Sequence, residues 1–373
     1  METRPTALVL GAGIMGLCTA WGLLREGFSV VVVDQAPPPN PRGSSVDHHR
    51  LIRHAYGAQA GYMRMVDAAY AAWDELWADL GEVLHVPTGV LAIGEADGDW
   101  LRESRAALRA DGRAVTDLSA AEVTARFPYV SGEGLAGAFW SPEGGVLLAE
   151  RIVAALAKHI VISGAVIETA RAVRVDAAHA TLVLEDGSRR RADALVVAAG
   201  PWIPRLLSGL GQRVTASQQV LVRLAPPPEL AESWARAPMI LDLDGGFYLV
   251  PPVAGTPLKI GDHSFSLTGD PDDPDRSADP REAELILDLA RRRIPGLDGF
   301  RHLGATTCFY DVEPEERFVV EKISQRAWVM SGFSGHGFKF GAVLGRRLAE
   351  AIAKPELEAF IPAWAAGEEV MPA

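Results

Sequence analysis

Cysteine, basic charge and long apolar runs are all scarce in this sequence, and each absence excludes a class of protein. The two cysteines, Cys18 and Cys308, lie far apart and match no metal-ligand spacing. This argues against a disulfide framework and a metal site, and it indicates a reducing compartment. No apolar run approaches the ~20 residues that a membrane-spanning helix needs. We therefore expect a cytoplasmic protein with no metal and no membrane partner.

Basic residues are outnumbered by acidic ones. Lys and Arg total 36 against 48 Asp and Glu, which gives a formal net charge of −12. A protein that binds nucleic acid or an anionic membrane needs a cationic surplus to neutralise phosphates, so both partners are disfavoured. Residues 1–5 lead directly into the first predicted strand, so we expect no signal peptide.

A glycine-rich βαβ pattern opens the chain. Residues 6–10 form a predicted buried strand, and the motif GAGIMG (residues 11–16) follows at once. A helix then ends near Gly27, and a second strand over residues 29–33 ends on Asp34. Strand, glycine turn, helix, strand and terminal acid together are typical of a dinucleotide site, with the acid on a ribose. The alternative is a βαβ turn with a purely structural role.

Two further patterns favour FAD over NAD as the dinucleotide. Residues 193–199 predict another buried strand, and it delivers Gly200-Pro201-Trp202 near the same cofactor. A second complete glycine motif for NAD(P)H is absent, which argues against a reductase driven by a pyridine nucleotide.

A second glycine-rich loop lies near the other end of the chain. A predicted strand over residues 327–330 runs into SGFSGHGFKFG (residues 331–341), and a helix starts near Ala342. Glycines at this density allow close backbone approach to a ligand, and the helix directs its positive end toward it. A simple turn is the alternative. The two loops together suggest one large cofactor.

The length and the order of the predicted elements indicate two domains. We predict an α/β, Rossmann-like FAD-binding domain built from residues 1–82, 145–215 and 325–373, discontinuous because the glycine loops lie at both ends. A mainly antiparallel sheet domain with flanking helices is predicted from residues 83–144 and 216–324, and it includes a strand over residues 317–323. An aromatic stripe on a helix over residues 62–80 is interpreted as core.

Three residue types could carry chemistry. Cys308 lies on a predicted strand, where a free cysteine is usually a small buried hydrophobe but could also bond a flavin. Lys259 lies among apolar residues in another strand, either with a solvated side chain or facing a flavin, where its charge would assist oxygen reduction. Arg50 and Arg53, among nearby histidines, match no zinc pattern and better suit a carboxylate or phosphate.

Five motifs resemble the D-amino-acid-oxidase/sarcosine-oxidase family of FAD-dependent oxidoreductases, especially its monomeric sarcosine oxidases and related oxidases of N-methyl or cyclic amino acids. They are GAGIMG, RLIRHAYG (residues 50–57), PLKIGDH (residues 257–263), ATTCFY (residues 305–310) and SGFSGHGFKF (residues 331–340). The last three, in this order, are the specific ones, and the resemblance covers nearly the whole chain.

The resemblance implies a role for each matching residue. Cys308 would carry FAD through a thioether, and Lys259 would be associated with oxygen activation. Arg53 and Lys339 would hold a substrate carboxylate, with Tyr310 lining the pocket and His263 a further catalytic residue. The implied cofactor-binding residues are Gly11, Gly13, Ile14, Met15, Gly16, Asp34, Gln35, Gly43, Ser44, Ser45, Arg50, Val173, Ala199, Gly200, Trp202, Cys308, Gly335, His336, Gly337, Phe338 and Lys339.

Two departures from the family pattern bear on the substrate. Val46 stands where a histidine is expected, and Phe247 stands where a pocket tyrosine is expected. Both changes make the site more apolar, which favours a larger or cyclic secondary amino acid over sarcosine itself.

The sequence therefore predicts an FAD-dependent oxidase of the C–N bond in a secondary amino acid, acting as a monomer with molecular oxygen as acceptor and hydrogen peroxide as product. Two alternatives stay open. One is a flavin dehydrogenase of the same family that uses a quinone or protein acceptor. The other is a non-catalytic flavin-binding protein for assembly or interaction, which the presence of Arg53, Tyr310 and Lys339 disfavours.

Overall fold

The computed structural model describes residues 4–95, 98–368 and 371, and it has the predicted mixed α/β architecture. The strands, in chain order, are β1 (Thr6–Leu10), β2 (Ser29–Asp34), β3 (Arg50–Ile52), β4 (His85–Pro87), β5 (Val90–Gly94), β6 (Thr116–Asp117), β7 (Gly137–Ser141), β8 (Gly145–Leu147), β9 (Val166–Thr169), β10 (Ala172–Asp176), β11 (Thr181–Leu184), β12 (Arg189–Arg191), β13 (Ala194–Val197), β14 (Thr215–Ala225), β15 (Met239–Asp242), β16 (Phe247–Val250), β17 (Leu258–Asp262), β18 (Arg301–Val312), β19 (Val319–Ser324) and β20 (Ala327–Ser331). The α-helices are α1 (Ile14–Arg25), α2 (Ala60–Leu80), α3 (Asp99–Ala110), α4 (Ala120–Arg126), α5 (Ala149–Ile162), α6 (Ile203–Leu206), α7 (Ala231–Ala235), α8 (Pro280–Arg291), α9 (Gly341–Ala353) and α10 (Ile361–Ala365).

The first sheet contains six strands in the order β19-β20-β13-β1-β2-β9. β1 is parallel to both β2 and β13, and the predicted βαβ unit is present with α1 as its helix. α1 packs closely on α9, because a Cβ added to Gly345 would lie only 2.5 Å from the Cys18 backbone. The chain leaves β1 toward β2 on one side and returns to β13 on the other, so a crevice opens at the carboxyl ends of β1 and β13.

The second sheet contains eight strands in the order β18-β14-β17-β16-β15-β5-β7-β6. Its pairs are antiparallel except for β15 with β5. Alternation along β17 sends Leu258 and Ile260 into one apolar cluster with Ile286 and Leu287 of α8. The intervening Lys259 therefore faces away from α8, on the opposite side of the sheet.

One strand lies in a different sheet from the one predicted. Residues 317–323 were expected among the strands of the second domain, but β19 pairs with β20 in the first sheet. The cause is local, since only two residues separate the strands and a short connection joins antiparallel neighbours. The predicted boundary at residue 324 therefore falls inside a hairpin. The rest of the domain division stays a prediction, and its outer limits, residues 1 and 373, lie outside the described residues.

The remaining strands form two small sheets, β10-β11-β12 and β3-β8-β4. The aromatic stripe of α2 is core as predicted, with Tyr62, Trp73 and Trp77 buried in the largest apolar cluster. In the described part of the chain, no helix is both long and apolar enough to cross a membrane.

Candidate active site

The first of two neighbouring cavities, of ≈ 300 Å³, lies in the crevice at the carboxyl ends of β1 and β13. Gly11 leaves β1 with φ +109°, and a Cβ there would lie 2.3 Å from the Ala198 carbonyl oxygen. A Cβ on Gly16 would lie 1.9 Å from the Gly11 oxygen. Only glycine therefore fits either position, and the backbone at the start of α1 lies bare along the cavity. This is the cradle that a cofactor diphosphate requires.

Asp34 lies at the far end of this cavity, where the ribose-binding acid was predicted. Its carboxylate accepts hydrogen bonds from the backbone N–H of Ala12 at 2.7 Å and of Ala36 at 3.1 Å, and from the Asn40 amide at 2.8 Å. Asp34 thus connects the glycine turn to the loop after β2 by hydrogen bonds. Asn40, which also lines this cavity, was missed by the sequence analysis.

Most of the predicted cofactor residues line the first cavity together. These are Gly11, Gly13, Ile14, Met15, Asp34, Gln35, Gly43, Ser44, Ser45, Arg50, Val173, Ala199, Gly200, Trp202, Gly335, Gly337 and Phe338. Gly16 packs behind the turn, and His336 and Lys339 line the neighbouring cavity instead. Cys308 is not among the residues that line either cavity.

The C-terminal glycine loop separates the two cavities. Gly335 has φ +78°, and a Cβ there would lie 2.4 Å from the Tyr310 ring, so the loop backbone packs directly on that ring. Four residues, Arg50, Tyr310, Gly335 and Phe338, line both cavities. A cofactor in the first cavity would therefore present one end to a ligand in the second.

The second cavity, of ≈ 460 Å³, brings together all five predicted catalytic residues: Lys259, Arg53, Tyr310, Lys339 and His263. Both volumes suit small molecules, whose sites are usually about 300–1,000 Å³. Burial raises the pKa of Tyr310, and burial together with Arg53 lowers the pKa of His263. Both side chains are therefore neutral near pH 7. The positive charge of the second cavity comes from its basic side chains, which include Arg53 and Lys259.

Arg53 and Lys339 are two basic side chains of the second cavity. The Arg53 guanidinium stacks on the rings of Tyr56, at 4.7 Å, and Trp100, at 5.6 Å, and its buried Nη1 has no hydrogen-bond partner. Lys339 Nζ donates to Tyr56 Oη at 2.8 Å and to the His336 carbonyl at 2.7 Å. Among the described residues neither side chain forms an ion pair. Burial first, and Arg53 second, lowers the pKa of Lys339 well below its usual range.

Lys259, by contrast, has an internal counter-ion. It is buried, with 2% of its surface exposed, and its Nζ donates to Asp47 Oδ2 at 2.5 Å and to the His49 carbonyl at 2.8 Å. Burial lowers its pKa to about 8 although Asp47 opposes the shift. Of the two alternatives from the sequence, a solvated lysine is therefore wrong. Lys259 lines the second cavity, and its position facing a flavin stays a prediction.

Cys308 lies on β18 two residues before Tyr310, so the two side chains share one face of the strand. Burial raises its pKa to about 11, and the nearby Arg50 and Lys259 lower it in opposition. The Ser44 hydroxyl donates to the Phe309 carbonyl at 2.5 Å, which fastens a loop of the first cavity beside the cysteine.

The substrate-pocket assignment of Phe247 is wrong. Phe247 is fully buried in the apolar cluster under α8, whereas Tyr248 lines the second cavity. Neighbouring residues of a strand point to opposite faces, so a shift of one residue reverses the assignment. The cavity thus retains a tyrosine, and Val46 lines the first cavity rather than the second. Neither Val46 nor Phe247 lines the second cavity, so neither supports an enlarged, more apolar substrate pocket.

Several residues of the second cavity were missed by sequence reasoning. Trp100 and Glu103 come from α3, and Gln219 and Glu316 come from distant parts of the chain. No local motif marks them, and only the tertiary fold brings them to the cavity.

The two cavities fit an FAD-dependent enzyme, and comparisons with known proteins agree. The profile of the DAO family, described as FAD dependent oxidoreductase, matches residues 6–351. Monomeric sarcosine oxidase of Bacillus sp. (strain NS-129) is 31% identical over 363 residues, which cover 94% of this chain and 93% of that protein. N-methyl-L-tryptophan oxidase of Yersinia pestis (strain Pestoides F) is 28% identical over 347 residues, covering 91% and 92%.

A solved structure shows the same fold. L-proline dehydrogenase from P. horikoshii superposes with a TM-score of 0.83 at 17% identity, over 99% of this chain and 98% of that chain. The glycine cradle and the family match together settle the assignment: this chain belongs to the DAO family of FAD-dependent oxidoreductases.

Proposed function

We propose that the protein oxidises the C–N bond of a secondary amino acid, N-methylated or cyclic, to an imine, with oxygen reduced to hydrogen peroxide. The substrate loses two electrons and two protons, oxygen gains them, and water then hydrolyses the imine. The observation that carries the proposal is the pair Arg53 and Lys339, two basic side chains without a carboxylate partner among the described residues, in a cavity that adjoins the cofactor cavity. An amino acid supplies the missing carboxylate.

The residues orient the substrate rather than react with it. Two cations fix the carboxylate, and Tyr310 and Tyr248 form a wall beside Gly335, so the amine and its neighbouring C–H point toward the first cavity. Holding the reacting atoms in one orientation supplies much of the rate enhancement. FAD supplies the redox chemistry when bound. Lys259 places a positive charge at the same cavity, where it stabilises negative charge that develops as oxygen is reduced.

Covalent attachment of FAD through Cys308 is part of the proposal: the thiol and the 8α-methyl group of the flavin would each lose a hydrogen as the C–S bond forms, and oxygen would take up the two electrons and two protons, giving hydrogen peroxide. Its support is the strand face that the thiol shares with Tyr310, a residue that lines both cavities. Burial raises the pKa of the thiol to about 11, so the thiol must lose its proton as the bond forms, and the positive charges of Arg50 and Lys259 assist that loss. Denaturation in acid tests this step. Flavin should stay with the wild-type polypeptide and should be released from Cys308→Ser, and release from both proteins would contradict it.

The activity is tested by peroxide release from the purified flavoprotein with sarcosine, larger N-methyl amino acids, proline and pipecolate of both hands. A response from one class, equal in amount to the oxygen consumed, supports the oxidase. Flavin bleaching without air but slow reoxidation would instead support a dehydrogenase with another acceptor. The absence of bleaching with every compound would contradict the proposal. A cytoplasmic monomer stays a prediction of the sequence.

A further inference from the structure

Asp47 is a buried carboxylate at the centre of a group of cations, and nothing in the proposed reaction yet uses it. Its side chain is fully buried. It accepts from Lys259 Nζ and Arg50 Nη1, both at 2.5 Å, and from Arg223 Nη2 at 3.3 Å. The backbone N–H of His48 adds a fourth bond at 2.8 Å. One carboxylate therefore serves three cations from three different strands or loops.

Among the described residues around Lys259, no other anion could replace Asp47. Arg223 lies directly opposite Lys259 in the pairing of β14 with β17. The His49 imidazole is neutral, because burial and Lys259 lower its pKa to about 3. Tyr248 and Cys308 stay protonated because burial raises the pKa of both. On the other face of β17, α8 presents the apolar Ile286 and Leu287. The remaining near neighbours, Tyr310 and Arg50, add no negative charge.

Burial and like charge both act against a protonated lysine at this place. Desolvation disfavours an ammonium, and nearby guanidinium groups disfavour it further. Without the carboxylate, Lys259 would lose its proton or move away from the cations, and the positive charge at the cavity would be lost. The His49 carbonyl alone cannot compensate, because it is a dipole and not a charge.

We propose that Asp47 is a positioning residue for Lys259, holding its ammonium protonated and directed at the cavity wall where oxygen is reduced. The inference rests on the proposed function for its catalytic consequence, although the protonation state of Lys259 can be measured without turnover. Asp47 acts through Lys259 and touches neither substrate nor oxygen.

A direct measurement follows Lys259 itself in the flavin-loaded protein. The chain contains five lysines, so labelling lysine Cε with ¹³C gives five signals, and Lys259→Met identifies the one of interest. In the wild type this signal should titrate near pH 8. In D47N it should titrate lower by about 1–3 pH units, the usual effect of an opposite charge. An unchanged titration in D47N, or a neutral Lys259 at about pH 7 in the wild type, would overturn the proposal.

A matched control separates this role from simple loss of a buried ion pair. Asp242 is also a buried carboxylate, and it accepts from buried Arg293 at 3.2 Å, but it lines neither cavity. D242N should lose stability without moving the Lys259 signal. D47E retains the charge and should restore most of the wild-type titration. If D47N does not fold, a neutral Lys259 at about pH 7 in the wild type would still overturn the proposal.

Stopped-flow kinetics then tests the catalytic consequence. Anaerobic reduction by substrate should be almost unchanged in D47N, whereas reoxidation by oxygen should slow at about pH 7.5, by about 3-fold for a pKa shift of one unit and about 25-fold for two. The fall of the reoxidation rate with rising pH should begin at lower pH than in the wild type. Equal slowing of both half-reactions would indicate a structural role and overturn the proposal. If no substrate reduces the wild type, the proposed function fails, and the lysine titration still tests Asp47.

Discussion

Replacing Arg53 by methionine should weaken recognition of a carboxylate while leaving the rest of substrate recognition intact. Methionine keeps an apolar stem between the rings of Tyr56 and Trp100 but removes the guanidinium. Because Arg53 forms no ion pair with any described residue, its replacement leaves no buried carboxylate of those residues without a partner. Glu316 lines the same cavity and would lose the favourable charge of Arg53, but it forms no ion pair with Arg53 that the substitution would break. The fold should therefore tolerate the substitution.

The magnitude follows from the bonds that are removed. A hydrogen bond to a charged group contributes about 1.5–3 kcal/mol, and each 1.4 kcal/mol is about tenfold in an equilibrium or rate ratio. We expect kcat/KM for a secondary amino acid to fall about 10- to 150-fold. Lys339 lines the same cavity and would still hold one carboxylate oxygen, so we expect recognition to be reduced but not abolished.

The assay compares an N-methyl amino acid with its primary amide, which has the same shape but no charge. The loss in R53M should be confined to the acid, and the exposed Arg236→Met should change neither substrate. Equal losses for acid and amide would show that Arg53 acts on the structure of the cavity in general. An unchanged kcat/KM for the acid would place the carboxylate elsewhere.

Three further predictions concern the same two cavities. A carboxylate ligand should bind with proton uptake, because burial lowers the pKa of Lys339 and a bound anion raises it again. Calorimetry in buffers of different ionisation enthalpy should show this uptake. The affinity for the carboxylate ligand should fall as pH rises. Gly335→Ala should impair flavin binding and should also lower the free energy of unfolding by about 1–2 kcal/mol, because alanine disfavours a left-handed backbone. Gly296→Ala is the control, since Gly296 has φ +74° and nothing lies within 4 Å of an added Cβ; it should show only the stability loss in thermal unfolding. Asp272→Ala removes a carboxylate that accepts from three side chains at the mouth of the first cavity, at 2.6–2.9 Å, and should speed flavin loss from non-covalent holoenzyme during gel filtration.

Local patterns in the sequence predicted the elements that hold the cofactor. The βαβ unit at residues 6–34 and the C-terminal loop at residues 331–341 depend on short-range signals, namely apolar runs and glycines at fixed spacing. Both patterns appear in the structure at nearly the predicted limits. The same reasoning placed β19 in the wrong sheet, because a strand's apolar pattern says that it pairs but not with which partner.

The residues missed by sequence reasoning are those whose role depends on distant neighbours. Asp47 lies in a polar loop where an acid is usually solvated, and only the approach of Lys259, 212 positions later in the chain, makes it a buried ion pair. The exchange of Phe247 and Tyr248 has a similar origin. A resemblance fixes a position to within a residue, but the alternation of a strand decides which neighbour faces the cavity.

The two groups of cations in this site differ in one respect that determines how a substrate can enter. Lys259, Arg50 and Arg223 already share the Asp47 carboxylate, and a substrate carboxylate would have to displace an anion that the chain itself holds in place. Arg53 and Lys339 share no such partner among the described residues, so an anion gains there without displacing one. Since Lys259 and Arg50 line the same cavity as Arg53 and Lys339, we expect the internal carboxylate to direct the acid of the proposed substrate to Arg53 and Lys339 and to leave the charged lysine free for oxygen. In the proposed reaction, the position of a single aspartate would thus help to orient the substrate and would preserve the charge that oxygen reduction requires.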